Sequence, residues 1–247
     1  MKIAVLNYTG SVGKTVVASH LLAPRLNHAQ IFAIESTNET AEDLGLDVDQ
    51  LRGMQFGKLF RGLLTLDDAI VDVGASNIEE FLAHMSRYDL SHEEIDQFVL
   101  PVVPTGKAQR ETIKTVAALS GLGVPANRIR VLFNRVESDV DEEFLALLTY
   151  AKKTGEFIAN PQALIFENEV FELLADKRIT IASILADQTD YRQLLREADP
   201  KDRKRISHLS DMHTLKALAR PVDRQLDRAF QALFGDVVPA TNGASHE

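Results

Sequence analysis

Cysteine is absent from the 247 residues. That excludes disulfide scaffolds, cysteine-type zinc sites, iron–sulfur clusters and thiol catalysis together. No apolar run approaches the roughly 18 residues of a membrane span. The opening Met1-Lys2-Ile3 begins a strand-like run, not a secretory signal, so a cytoplasmic protein without a membrane span is expected. Internal repeats and low-complexity blocks are also missing. Positive charge is in deficit, with 27 basic against 36 acidic side chains and a net charge of −9, which argues against a surface that is basic everywhere.

What is present is ordinary for a folded chain: 45% hydrophobic and 26% charged residues, at a length sufficient for one large α/β domain or two small ones. The charge is uneven. Residues 1–190 hold 17 basic and 28 acidic side chains, whereas residues 191–234 hold 10 basic and 6 acidic. The chain therefore divides into an acidic body (1–190), a basic helical C-terminal extension (191–234) and a small, polar tail (235–247) expected to be disordered. Solvated helix faces and a real binding surface explain the basic segment equally well.

Six apolar runs read as buried strands: Ile3–Leu6, Ile31–Ile34, Ala69–Val73, Phe98–Val103, Ile129–Phe133 and Ala163–Phe166. Helical patterns lie between most of them, as in Val16–Leu26, Glu79–Ser86, Gln109–Leu119 and Asp141–Lys153. This alternation predicts an α/β fold, a mostly parallel sheet flanked by helices, with ligands at the carboxyl ends of the strands. Asp49–Leu64 reads as one helix weakened by three glycines. After Phe166 only helices are expected, the last (Ile206–Phe234) broken at Pro221.

The strongest local signal follows the first strand. Asn7-Tyr8-Thr9-Gly10-Ser11-Val12-Gly13-Lys14-Thr15-Val16 runs from strand into helix. Such a turn lets successive backbone N–H groups wrap a phosphate, with the helix N-terminus adding its positive dipole end. Lys14 is expected to reach the β- and γ-phosphates and the Thr15 hydroxyl to bind Mg²⁺. Tyr8 occupies the first glycine position of the usual G-x-x-x-x-G-K-[ST] pattern, so the strict match fails there. Asp72, in Ala69-Ile70-Val71-Asp72-Val73-Gly74, resembles a Walker B aspartate able to hold Mg²⁺ through water. Glu35 closes the second strand, beside a polar stretch, Ser36 to Glu39, suited to a switch loop.

The spacing resembles the ParA/MinD class of P-loop ATPases, whose loop reads K-G-G-x-G-K-[ST]. Thr9 stands where that class has a lysine, and Ser11 where it has the second glycine. The resemblance covers roughly residues 1–166 and implies a ParA/MinD-type P-loop NTPase with a C-terminal helical extension. It implies phosphate contacts from Thr9, Gly10, Ser11, Val12, Gly13, Lys14, Thr15 and Val16, and Mg²⁺ held by Thr15 and Asp72. It implies catalysis through Lys14, Glu35 and Asp72, with Glu35 orienting the attacking water where the class has an aspartate. Asn134-Arg135, ending Ile129–Phe133, matches the pair that holds adenine in the class. Glu137 falls on the aspartate that reads guanine in N-K-x-D proteins, so ATP is favoured over GTP without being settled. Ile165 to Glu169 reads as the far side of the base pocket, or simply as a helix start. Lys107 and Arg110 are candidates for the charge that Thr9 lacks.

A narrower resemblance, to stability proteins of broad-host-range conjugative plasmids, implies plasmid maintenance, positioning and conjugative transfer. It also implies a plasmid-encoded DNA-binding partner protein. The class further implies a nucleotide-dependent homodimer, slow Mg²⁺-dependent ATP hydrolysis, and non-specific DNA binding through the basic C-terminal segment. Arg220, Arg224 and Arg228, spaced by four, suit that last role, diluted by Asp223 and Asp227. Two other readings stay open: a nucleotide-binding scaffold that never hydrolyses, and a small-molecule ligase or kinase of the same superfamily.

Overall fold

A computed structural model describes residues 1–34, 46–51 and 55–237. Seven strands form one sheet: β1 (Lys2–Val5), β2 (Gln30–Ile34), β3 (Val48–Leu51), β4 (Ala69–Val73), β5 (Gln97–Val102), β6 (Ile129–Val136) and β7 (Leu164–Phe166). Their order is β3-β2-β4-β1-β5-β6-β7, and every pairing is parallel. The chain leaves β1 toward β2 on one side and returns through β4 to reach β5 on the other. The crevice beside the end of β1 is therefore the topological switch point, where ligands bind in open parallel sheets.

Both faces are covered, which is why the strands read as unbroken apolar runs. Side chains alternate between the faces at period two. Ala4, Val71, Val131 and Phe133 pack under α2 (Phe56–Leu63), α3 (Ile78–Arg87), α4 (Gly106–Gly121), α5 (Val140–Glu143) and α6 (Leu145–Thr154). Ile3, Val5, Ile70 and Leu132 face the other way. They meet α1 (Lys14–Val16) with its continuation, α7 (Val170–Lys177), α8 (Ile181–Ala186) and α10 (Arg203–Phe234). The short α9 (Tyr191–Glu197) lies beside α10.

The basic segment is thus built into the second face. Leu215, Ala219, Val222, Leu226, Ala229, Phe230, Leu233 and Phe234 of α10 are buried there. Pro221 does not break α10, contrary to the expectation from sequence: the helix runs through it for 32 residues, held by that apolar stripe. The helix after the glycine-containing loop is also unusual, because α1 continues as a π-helix over Val17–Leu22 and a 3₁₀ turn over Ala23–Arg25. The tail expected from residue 235 is described only to Val237, and within it Asp236 accepts a hydrogen bond from Arg130.

The expected helix over Asp49–Leu64 is instead strand β3 followed by α2. β3 is an edge strand whose fully buried side chain is Leu51, so Val48-Asp49-Gln50-Leu51 lacks the apolar run that marked the others.

Candidate functional site

β1 ends at Val5, opposite Asp72 of β4 in the parallel register. Sheet pairing alone therefore brings the two sequence-predicted motifs to one edge. Thr15, in the first turn of α1, closes the gap: its hydroxyl donates to Asp72 Oδ2 at 2.9 Å. Asp72 is 1% exposed. A hydroxyl and a carboxylate converging at the head of a helix form a hard-oxygen donor set, which suits Mg²⁺ and not a softer metal.

Lys14 is also buried. Its Nζ donates to Thr9 O at 3.1 Å and Asn7 O at 3.4 Å, folding the side chain back over the loop. The ammonium is thus held by carbonyls of its own loop. Gly13 caps α1 with φ 83°. A Cβ there would come within 2.3 Å of Asn134 Nδ2, so the position excludes a side chain twice, by backbone conformation and by contact. Ser11 adopts φ 57° without being glycine. Gly10 is exposed, Val12 is buried, and Val16 is half-buried.

The loop rests on a support that the sequence reading did not single out. Asn7 is fully buried. Its Nδ2 donates to Pro101 O at 2.9 Å and to Thr112 Oγ1 at 2.7 Å, and its Oδ1 accepts from Thr9 N at 3.1 Å. Thr115 Oγ1 accepts from Tyr8 N at 3.3 Å. The signal was a lone asparagine closing an apolar strand. On the opposite side Asn134 Nδ2 donates to Val12 O at 2.8 Å. The two asparagines hold the loop from both sides.

Arg135 follows Asn134 with φ 55°, where the β6–β7 register shifts. A cleft opens between the loop, the end of β6 and the segment after β7, bordered by Gly13, Asn134, Arg135, Phe166, Glu167 and Glu172. Of the segment Ile165 to Glu169, Phe166, Glu167 and Asn168 border it. Gly74 N and Asn77 Nδ2 both donate to Ile34 O, at 2.9 and 3.1 Å, joining the exits of β2 and β4. Glu35 and the stretch Ser36 to Glu39 lie outside the described residues. Lys107 and Arg110 are exposed in the first turns of α4, the helix that supports Asn7.

No protein-family model matches the sequence, and no curated protein does. Solved structures do. The MinD cell division protein of Aquifex aeolicus matches with a TM-score of 0.54 at 14% identity, over 97% of this chain and 99% of that one. The MinC:MinD cell division protein complex of the same organism matches with a TM-score of 0.51 at 14% identity, over 81% of this chain and 98% of that one. The chain has the fold of MinD-type P-loop proteins, an all-parallel seven-stranded sheet with its C-terminal helix in place. Among the described residues no helix is long and apolar enough to cross a membrane.

Proposed function

We propose that this protein is a ParA/MinD-like ATPase that works as a nucleotide switch. One observation carries the reading: Thr15 and Asp72 meet at 2.9 Å directly beside the buried Lys14, at the head of the first helix. ATP would lie along the loop from Thr9 to Val16, with Lys14 on its outer phosphates, Thr15 and Asp72 toward Mg²⁺, and the base near Asn134 and Arg135. GTP is the less favoured nucleotide. Glu35 is the proposed residue for orienting water. Binding would order the loops after β2 and β4 and stabilise a homodimer, and slow hydrolysis would release it.

The residues quoted for the narrower resemblance support a StbB-like role in plasmid stability, positioning and conjugative transfer. A plasmid-encoded DNA-binding protein would be the partner, and the basic C-terminal segment would meet DNA non-specifically, in the cytoplasm.

Nucleotide binding and nucleotide-dependent sizing of wild type against Lys14→Ala test the switch. Wild type is expected to bind ATP–Mg²⁺ and enlarge to a dimer, while the variant does neither. Equal ATP affinity in the two proteins would overturn the assignment. Phosphate release by the wild type separates hydrolysis from a scaffold that only binds.

A further inference from the structure

Glu137 and Glu167 each lie within a few residues of the cleft beside Asn134, which Glu172 also borders. Glu137 has the sequence position of a guanine reader, but the fold directs its loop elsewhere. The Glu143 carboxylate accepts from the backbone N–H of Glu137 at 3.1 and 3.2 Å, of Ser138 at 2.6 Å and of Asp139 at 3.1 Å. It also accepts from the Ser138 hydroxyl at 3.0 Å. Three consecutive N–H groups converging on one carboxylate form an anion-binding concavity filled by the chain itself. Desolvation works against the Glu143 charge, but the hydrogen bonds from Ser138, Glu137 and Asp139 prevail and hold its carboxyl below the usual range. The loop is thereby tied to α5, and the exposed Glu137 side chain does not line the cleft beside Asn134.

Glu167 does line it. Its backbone N–H donates to Val136 O at 3.0 Å, which fixes it two residues past Asn134 on the neighbouring strand. Its carboxylate lies 3.7 Å from Arg135 Nε, and both side chains are about half exposed at the mouth of the cleft. Arg135 reaches it because the left-handed backbone at the irregularity in β6 re-aims its side chain. Phe166, 42% exposed, adds a flat apolar surface at the same mouth.

We infer that Glu167 and Arg135 together read the edge of the nucleotide base, and that Glu137 does not. The inference rests on the nucleotide-binding reading above. An exocyclic amine donates to a carboxylate, and the neighbouring ring acceptor receives from a guanidinium. The pair therefore presents an acceptor beside a donor to the matching edge of an amine-bearing purine. Uracil, with a single ring N–H between two carbonyls, offers no exocyclic amine beside a ring acceptor and does not match the pair.

The test is equilibrium binding of fluorescent ATP and GTP analogues to the full chain, with inorganic tripolyphosphate as a competitor that has no base. Glu167→Gln is expected to weaken the preferred purine nucleotide about tenfold. Tripolyphosphate competition should stay unchanged, and Glu137→Gln should change neither. The inference is overturned if Glu137→Gln causes the loss, if Glu167→Gln has no effect, or if Glu167→Gln weakens tripolyphosphate equally. Wild type that binds neither nucleotide nor tripolyphosphate would instead remove the function on which the inference rests.

Discussion

Ser11 is held at φ 57° in the middle of the loop between β1 and α1, a conformation that an L side chain pays for and glycine does not. Ser11→Gly should raise stability by up to about 1 kcal/mol, since the greater unfolded-state freedom of glycine returns part of the relief. Thermal melts that show no gain would mean that the loop holds Ser11 without strain. His20 shows a second consequence of packing. It is 2% exposed in the π-helical turn, with its ring 6.0 Å from Phe171, and burial lowers its pKa from 6.5 to about 4. The unfolded chain therefore binds a proton between about pH 6.5 and 4 that the folded chain refuses, so stability falls as the pH drops through that window. The loss is on the order of 3 kcal/mol by pH 4. His20→Gln should flatten that slope in urea unfolding followed across pH, and an unchanged slope would assign the acid sensitivity to other groups. At this scale the sequence was legible where a motif has fixed spacing, as in Gly13, Lys14, Thr15 and Asp72. Asn7 and Glu143 were not legible as partners, and Glu167 only as part of the segment Ile165 to Glu169, because each works through a contact set by sheet register or loop closure, and no local pattern encodes that.

At the scale of elements, the central strands were readable because two-sided burial writes itself as apolar runs, and β3 was missed because an edge strand with one buried residue writes almost nothing. Pro221 misled for a related reason. Its intrinsic cost of about 3 kcal/mol in a helix interior favours a break, yet Ala219, Val222 and Leu226 anchor α10 on both sides of it. Tertiary burial outweighs the local penalty. Pro221→Ala should consequently stabilise the protein, by roughly 1–3 kcal/mol in chemical denaturation. A loss of stability would show that α10 needs the geometry the proline imposes. The far end of α10 has its own fastening. Arg130, buried within β6, donates to Gln97 Oε1 at 2.6 Å, to Leu233 O at 2.5 Å and to Asp236 Oδ2 at 2.9 Å, with its guanidinium 6.0 Å from the Phe234 ring. Arg130→Met leaves buried acceptors unmet and is expected to cost about 3 kcal/mol. A change below 1 kcal/mol would show that α10 is held by its apolar stripe alone.

For the whole molecule, the net charge of −9 conceals a separation that folding sharpens. Counted along the chain, Asp223 and Asp227 offset the arginines of α10. In the fold both carboxylates turn to Arg25, each 2.8 Å from its Nη2, and Arg25 also donates to His20 O and Leu21 O at the end of the π-helix. Arg220, Arg224 and Arg228 remain exposed at four-residue spacing, in no ion pair among the described residues. The basic face is thus more basic than its composition, and the residue that makes it so joins the continuation of α1 to α10. If that face meets DNA, low-salt gel shifts should show binding with a steep salt dependence. Replacing the three arginines by glutamine should lower the log–log salt slope by about 3. Arg25→Gln should weaken binding too, although its side chain is only 10% exposed, because it frees Asp223 and Asp227 to oppose the phosphates. Thermal melts of the same sample distinguish that effect from unfolding. Unchanged affinity in folded Arg25→Gln would refute the shielding by Arg25, and no binding by wild type at low salt would remove DNA from the reading of this face.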